Sequence, residues 1–232
     1  MDPLEREARR VYRRYQLEVV EALGLCPWAK QAREDGKIRV EVLLSEAPTL
    51  EEVLEVVDDV AKDLQTEIGI LLFPKVTWER RLWDRFHSKL RNLDSGRYDY
   101  GASPLTSAAF HPVGEPDLSS GDVLKPFIRR SPDPLIQLVR ISVLDAVRGE
   151  RTGGTTVLDM NQIAGLDIAA LKALTARPKS VSEVVAEANL RTVTRMGADE
   201  LSELLDDIRR DRDEAYCRLS AGATGEAETT TV

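Results

Sequence analysis

Cys26 and Cys217, with His87 and His111, are all the thiols and imidazoles in the chain. That scarcity narrows any search for covalent or acid–base chemistry to a few positions. Cys26 lies in Gly24–Leu25–Cys26–Pro27–Trp28–Ala29, after one helix stops and just ahead of a proline suited to the first position of the next. A thiol placed there feels the positive end of the helix dipole and can accept backbone N–H bonds, and both lower its pKa. A free thiol with a pKa of about 8.5 is roughly 3% thiolate at pH 7; lowered to about 6 it would be roughly 90% thiolate. The competing role is a small buried residue in a tight inter-helix turn, since unpaired cysteine is among the most buried residue types.

His111 follows Phe110 at the expected carboxyl end of a strand, the edge of an open α/β sheet where ligands bind. There it can act as a general base, pair with a thiolate as imidazolium, or simply cap the strand. His87 falls mid-helix among charges and reads as solvated, and Cys217 sits in a charged helix with no evident role.

Anion chemistry has its own candidate in Arg129–Arg130–Ser131–Pro132–Asp133. Ser131 as N-cap with Pro132 after it would open a helix whose free N–H groups hold an anion, with an arginine alongside. Arg140, two helical turns on, would share that face. The plainer alternative is that both arginines are solvated, or paired with Asp133 and nearby acids. Catalytic signatures are missing: there is no G-x-S-x-G, no Walker sequence and no G-x-G-x-x-G. Gly153–Gly154 precedes a strand candidate instead of following one, which is the wrong order for a phosphate loop. Arg6, Arg9, Arg10, Arg13 and Arg14 alternate with Glu5 and Glu7 and read as one wet helix face. Trp28, Trp78 and Trp83 read as core or rim aromatics.

The elements that must position these residues follow from periodicity. Residues 4–23 predict an amphipathic helix ending near Gly24. Residues 38–44 alternate as a strand, and Thr49–Leu50–Glu51–Glu52 is a capping box opening a helix. The continuous apolar run 68–73 suits a strand buried on both faces. Thr77 would cap a helix carrying Leu82, Phe86 and Leu90. A strand then ends at Phe110, a long loop fills the next twenty residues, and a helix is expected over 132–147. A strand candidate at 155–160 precedes a second capping box, Ser180–Val181–Ser182–Glu183, and two closing helices. This order predicts an α/β fold: a central mixed or partly parallel sheet of about four strands, flanking helices and a helical C-terminal segment. A ferredoxin-like α+β sandwich is the alternative. Residues 1–220 are expected to form one globular domain and 221–232 a disordered tail.

At 232 residues, 42% hydrophobic and 31% charged, the chain can bury a full core without a disulfide or metal staple. Lys+Arg 32 against Asp+Glu 40 leaves 32 − 40 = −8, which argues against a nucleic-acid partner. Too few soft ligands are present for a zinc ribbon or iron–sulfur cluster. No apolar run reaches membrane-spanning length, and the N-terminal segment is charged from Glu5 onward, unlike a secretory signal. Two widely separated cysteines suit a reducing compartment, so a bacterial-type cytoplasm is expected.

Several segments in order resemble the bacterial domain of unknown function 1415 family. They are Glu18–Val19–Val20 through Gly24–Leu25–Cys26–Pro27–Trp28–Ala29; Ser107–Ala108–Ala109–Phe110–His111–Pro112; Arg130–Ser131–Pro132 with Leu138–Val139–Arg140–Ile141–Ser142; and Glu187–Ala188–Asn189–Leu190–Arg191–Thr192–Val193 with Arg195–Met196–Gly197. The resemblance covers roughly residues 10–210. It implies that Cys26, His111, Arg130, Arg140, Glu187 and Asn189 occupy recurring polar positions. It also marks departures, because the family pattern has a histidine where this chain has Gln137, a glutamate at Ile141 and an asparagine at Arg129.

The expectation is a cytoplasmic enzyme acting on a small anionic molecule. Cys26 would be its nucleophile or redox thiolate and His111 the base or ion-pair partner. Arg130 and Ser131 would hold substrate charge, with Arg140, Glu187 and Asn189 completing the site. No cofactor or metal is required, although Cys26–Pro27 would suit a haem thiolate. A non-catalytic metabolite-binding or accessory protein is the other reading. Neither a membrane nor a nucleic-acid partner is expected, and the sequence sets no oligomeric state.

Overall fold

The apolar run expected to be a doubly buried strand is the centre of the molecule: β2 (Ile68–Leu72) is buried at every residue. The structure, a computed structural model, describes residues 1–145 and 180–227. β1 (Ile38–Val42) pairs parallel with β2, and the connection between them carries α3 (Leu50–Lys62). The capping box of α3 closes as its sequence predicts: Glu52 N–H donates to Thr49 Oγ1 at 3.2 Å, and Thr49 N–H to Glu52 Oε2 at 2.8 Å. On its other side β2 pairs antiparallel with β4 (Leu135–Arg140), which pairs antiparallel with β3 (Leu105–Phe110). The order is therefore β1-β2-β4-β3, a mixed four-stranded sheet. Because β1 and β2 are direct neighbours, the arrangement is not the split βαβ of the ferredoxin-like alternative.

Helices cover both faces. On one, α3 and α4 (Arg80–Gly96) bury Val53, Val57, Val60, Trp83, Phe86 and Leu90 against Leu71, Ile136 and Leu138. The approach is close: a Cβ on Gly69 would lie 2.9 Å from Val60 Cγ1. On the other face lie α1 (Pro3–Tyr15), the short α2 (Ala29–Glu34), α5 (Gly121–Ile128), α6 (Val181–Met196) and α7 (Ala198–Ala227). They pack on Ile68, Ile70, Leu72 and Leu135, the alternate side chains of the same strands. Arg10 and Arg14 on α1 reach Asp207 and Asp211 on α7, lashing the first helix to the last. The second capping box also forms, with Ser180 opening α6.

Three expectations are corrected. Where a helix was expected over 132–147, residues 135–140 are instead strand β4, and among the described residues of that span the helical ones are 141–145. Leu135, Ile136, Leu138 and Val139 satisfy helical spacing, yet they equally fill both faces of a central strand, and the tertiary setting decides. Ser131 and Pro132 therefore open no helix. The stretch expected to be one long loop contains α5, capped by Ser120, whose side chain accepts from Val123 N–H. Gly121 and the internal Pro126 disguised it. Finally, α4 begins at Arg80 with Glu79 as its cap, three residues beyond Thr77. The expected strand at 155–160 and Gly153–Gly154 lie outside the described residues. α7 runs on to Ala227, into the stretch expected to be a tail.

Candidate ligand cavity

α1 does not stop at Tyr15 but widens into a π-helical turn, Gln16–Glu21, with Leu25 N–H donating to Val20 O at 2.9 Å. Single π turns of this kind are frequent at functional sites, because the extra residue re-aims the side chains around it. Gly24 then takes a left-handed φ of 63°, turning the chain toward Cys26. α2 opens at Ala29 with Trp28 as its N-cap, so Pro27 belongs to the preceding turn and not to the first helical position.

This turn forms one wall of a cavity of about 370 Å³. Its floor is the sheet face of Ile68, Ile70 and Gln137, and α5 and α6 close it with Arg129 and Asn189. Among the described residues no Asp or Glu lines it, and the charged lining groups are Lys125 and Arg129. Lys125 is already paired with Asp122 at 2.6 Å. Among the described residues Arg129 has no ion pair and no side-chain hydrogen bond, and its guanidinium lies 5.8 Å from the centre of the Phe110 ring. Burial, helped by the positive charge of Arg80, presses its pKa below the ordinary arginine value.

Two residues of the same lining carry buried donors with no partner among the described residues. Tyr15 is only 1% exposed, and its OH meets no acceptor within the described protein; Trp28 Nε1 is in the same condition. Burial pushes the Tyr15 phenol well up, while the nearby charge of Arg129 pulls it down. A buried donor left unsatisfied costs about 1–3 kcal/mol. Two such groups belong to residues of one cavity lining, beside the half-buried Arg129.

Cys26 Sγ is surrounded by donors. The Trp28 and Ala29 backbone N–H groups and the Gln137 amide reach it and favour the thiolate. Burial outweighs them, and the pKa is raised above the ordinary thiol value. Gln137 stands where the family resemblance has a histidine. Asn189, on α6, is buried and donates from Nδ2 to Leu25 O at 3.3 Å, steadying the turn that carries Cys26.

The other anticipated residues lie elsewhere. His111 does not line the cavity: its Nε2 sits 2.9 Å from Trp78 O and its Nδ1 accepts Val113 N–H at 3.1 Å. Those two bonds fix the neutral tautomer with the proton on Nε2, and burial lowers the pKa. Arg130 pairs with Asp206 and donates to Ser202 Oγ at 2.9 Å, anchoring α7. Ser131 Oγ donates to Asp133 O at 2.6 Å within a tight turn. Arg140 donates to four carbonyls, including Thr66 O at 3.0 Å and Asp63 O at 2.9 Å, and so seals the end of α3. Glu187 is half-buried on α6, off the cavity wall.

Of the anticipated site residues, the structure thus brings Cys26 and Asn189 together, and adds Arg129 and Gln137. Tyr15 and Trp28 were legible only as core aromatics; the polar atoms on otherwise apolar rings beside the cysteine turn were the available signal. His87 is corrected from solvated to buried. Its Nε2 lies 2.8 Å from Ser107 Oγ, and burial lowers its pKa to about 4. Ser107 also borders a smaller cavity of about 200 Å³ beside Asp94.

Among the described residues no three His, Cys, Asp or Glu side chains cluster to hold a metal ion, and no helix is long and apolar enough to cross a membrane. Residues 8–165, well over half the chain, match a family described as protein of unknown function (DUF1415). No curated protein and no solved structure matches the chain.

Proposed function

The chain belongs to the DUF1415 family of proteins of unknown function, and from that premise we propose that its cavity binds a small organic anion with Arg129 as the counter-charge. The observation that carries this reading is a half-buried guanidinium that has no ion pair among the described residues, facing a cavity that no described Asp or Glu lines. A desolvated charge without a partner is costly, and an anion entering beside it removes that cost. The net charge of −8 disfavours anions over most of the surface, so this half-buried cation marks where an anion can dwell. Both cysteines are free, in keeping with a reducing, cytoplasmic setting and a soluble metabolite as ligand.

The test is a thermal-shift screen of small carboxylates and phosphates on the full chain and on Arg129→Met. Anions that raise Tm in the first and not in the second support the reading. A shift that survives Arg129→Met, or no shift with any anion, overturns it.

The three donors converging on Cys26 favour a second reading, in which the cavity is an active site and Cys26 its nucleophile. His111 is not its base in this geometry, so the thiolate would rest on Trp28 N–H, Ala29 N–H and Gln137. Iodoacetamide alkylation against pH, in a Cys217→Ser background, decides. A midpoint below the free-thiol value of about 8.5 supports catalysis, and one above it removes the nucleophile.

A further inference from the structure

We infer that the outer edge of β3 docks an extended, acidic peptide segment, which pairs with it as an added strand and sends alternate side chains toward cavities on the two faces of the sheet. The inference rests on the anion-binding reading only for the role it gives Arg129.

Register decides which backbone groups are on offer. Arg140 N–H donates to Glu67 O on the β2 side, and Ile141 N–H donates to Pro104 O on the β3 side. Backbone groups alternate along a strand, so Thr106, Ala108 and Phe110 face β4, while Leu105, Ser107 and Ala109 point outward. Leu105 N–H is taken by Ser103 Oγ. Beyond the strand, His111 N–H donates to Arg129 O and its carbonyl accepts from Ser131 N–H. Between these points the N–H and C=O of Ser107 and of Ala109 have no partner among the described residues.

The opposite edge of the sheet is guarded. β1 carries the Arg39–Glu41 ion pair, and Arg9 donates to its outward Val40 O. β3 has neither a charge nor a proline of the kind that blunts an edge strand. Such an edge takes an extended peptide through main-chain hydrogen bonds, with pockets for alternate side chains setting specificity. Both pockets adjoin the strand, because Thr106 and Ser107 line the cavity of about 370 Å³ and also the one of about 200 Å³. Charge then sets the character of the peptide. Arg129 in the larger cavity and Arg91 in the smaller have no ion pair among the described residues, whereas Lys125 and Asp94 are paired with Asp122 and Arg97. Adjacent side chains of a strand point to opposite faces, so two neighbouring carboxylates on the peptide meet the two arginines.

The probe is the fluorescein-labelled hexapeptide Val-Thr-Glu-Glu-Thr-Val, titrated with the full chain and followed by anisotropy. Saturable binding is expected, weakened about tenfold or more when the peptide is N-methylated along its backbone or when both Glu are Gln. Arg91→Met should weaken it about threefold, as loss of an exposed ion pair does. Ala109→Pro removes an outward N–H at a place where an edge strand accepts proline and should weaken binding too, with circular dichroism checking its fold. The N-methylated peptide poses the same question without altering the protein. No saturable binding, or binding indifferent to N-methylation, overturns the docking edge. Equal binding of the Gln peptide overturns the acidic partner. A dimer in sedimentation equilibrium that Ala109→Pro dissociates assigns the edge to a second copy of the chain and overturns the peptide. Hexanoate binding that depends on Arg129 while the peptide fails overturns this inference alone. Peptide binding that follows the expected pattern while hexanoate fails supports it and overturns the small-anion reading alone.

Discussion

On the face of the sheet covered by α3 and α4, polar groups find partners within the protein. Arg140 caps the carbonyls at the end of α3, His87 meets Ser107, and Asp94 accepts from Ser103 and Arg97. Among the described residues there, Trp83 Nε1, enclosed by the rings of Phe73, Trp78 and Phe86, goes without. On the opposite face Tyr15 and Trp28, two residues of the cavity lining, each carry a buried donor with no partner among the described residues, and the half-buried Arg129 beside them has no ion pair there. The first face is organised for stability. The second retains unsatisfied groups that an outside molecule can satisfy, and that is the physical signature of a binding site.

That contrast can be broken. Trp83→Ala, in the fully buried aromatic cluster of the closed face, should cost about 3–5 kcal/mol in urea unfolding, without changing anion binding per folded molecule. Loss of anion affinity beyond the fraction unfolded would show that the two faces are not independent.

Next in size is a pH effect. His87 is held near pKa 4 in the fold against about 6.5 when unfolded, so the unfolded chain binds the extra proton between those values. Stability should therefore rise with pH from about 4 to 6.5, by up to about 3 kcal/mol, and level off above. Tm measured across that window should lose much of this slope in His87→Phe; an unchanged slope would assign the titration elsewhere.

Gly121→Val probes the closure of the open face. A Cβ there would fall 2.6 Å from Ala186 O, forcing α5 and α6 apart at a cost of about 1–3 kcal/mol. Because both helices wall the cavity, anion affinity should fall as well, which distinguishes this variant from Trp83→Ala.

The smallest effects make the sharpest contrast. Ser107→Ala strands the His87 ring and should destabilise by about 1–3 kcal/mol, whereas Tyr15→Phe removes a hydroxyl that had no partner and should be neutral or slightly stabilising. Equal losses in the two unfolding curves would mean that the Tyr15 hydroxyl is satisfied after all.

How much of this was legible beforehand depended on how local each signal was. β2 and both capping boxes are written in short stretches of chain, and each was read as it stands; the strand–helix–strand order predicted a partly parallel sheet but not which strands pair. β4 was not, because Leu135–Val139 meets the helical and the doubly buried strand patterns equally well, and only the neighbours β2 and β3 choose. Adjacent arginines show the same limit within the site. Nothing local distinguishes Arg129 from Arg130, yet one faces the cavity while the other is drawn to Asp206, 76 residues along the chain. Cys26 was legible by residue type. A buried inter-helix turn was one of the two settings its segment allowed, but the approach of α6 to that turn from the far end of the sequence was not legible.

The central claim is that Arg129 awaits an anion, and titration calorimetry of hexanoate into the full chain and into Arg129→Met tests it most directly. Saturable binding that Arg129→Met abolishes or reduces to the level of hexanol is the expected result. Equal binding by the two proteins would contradict the account.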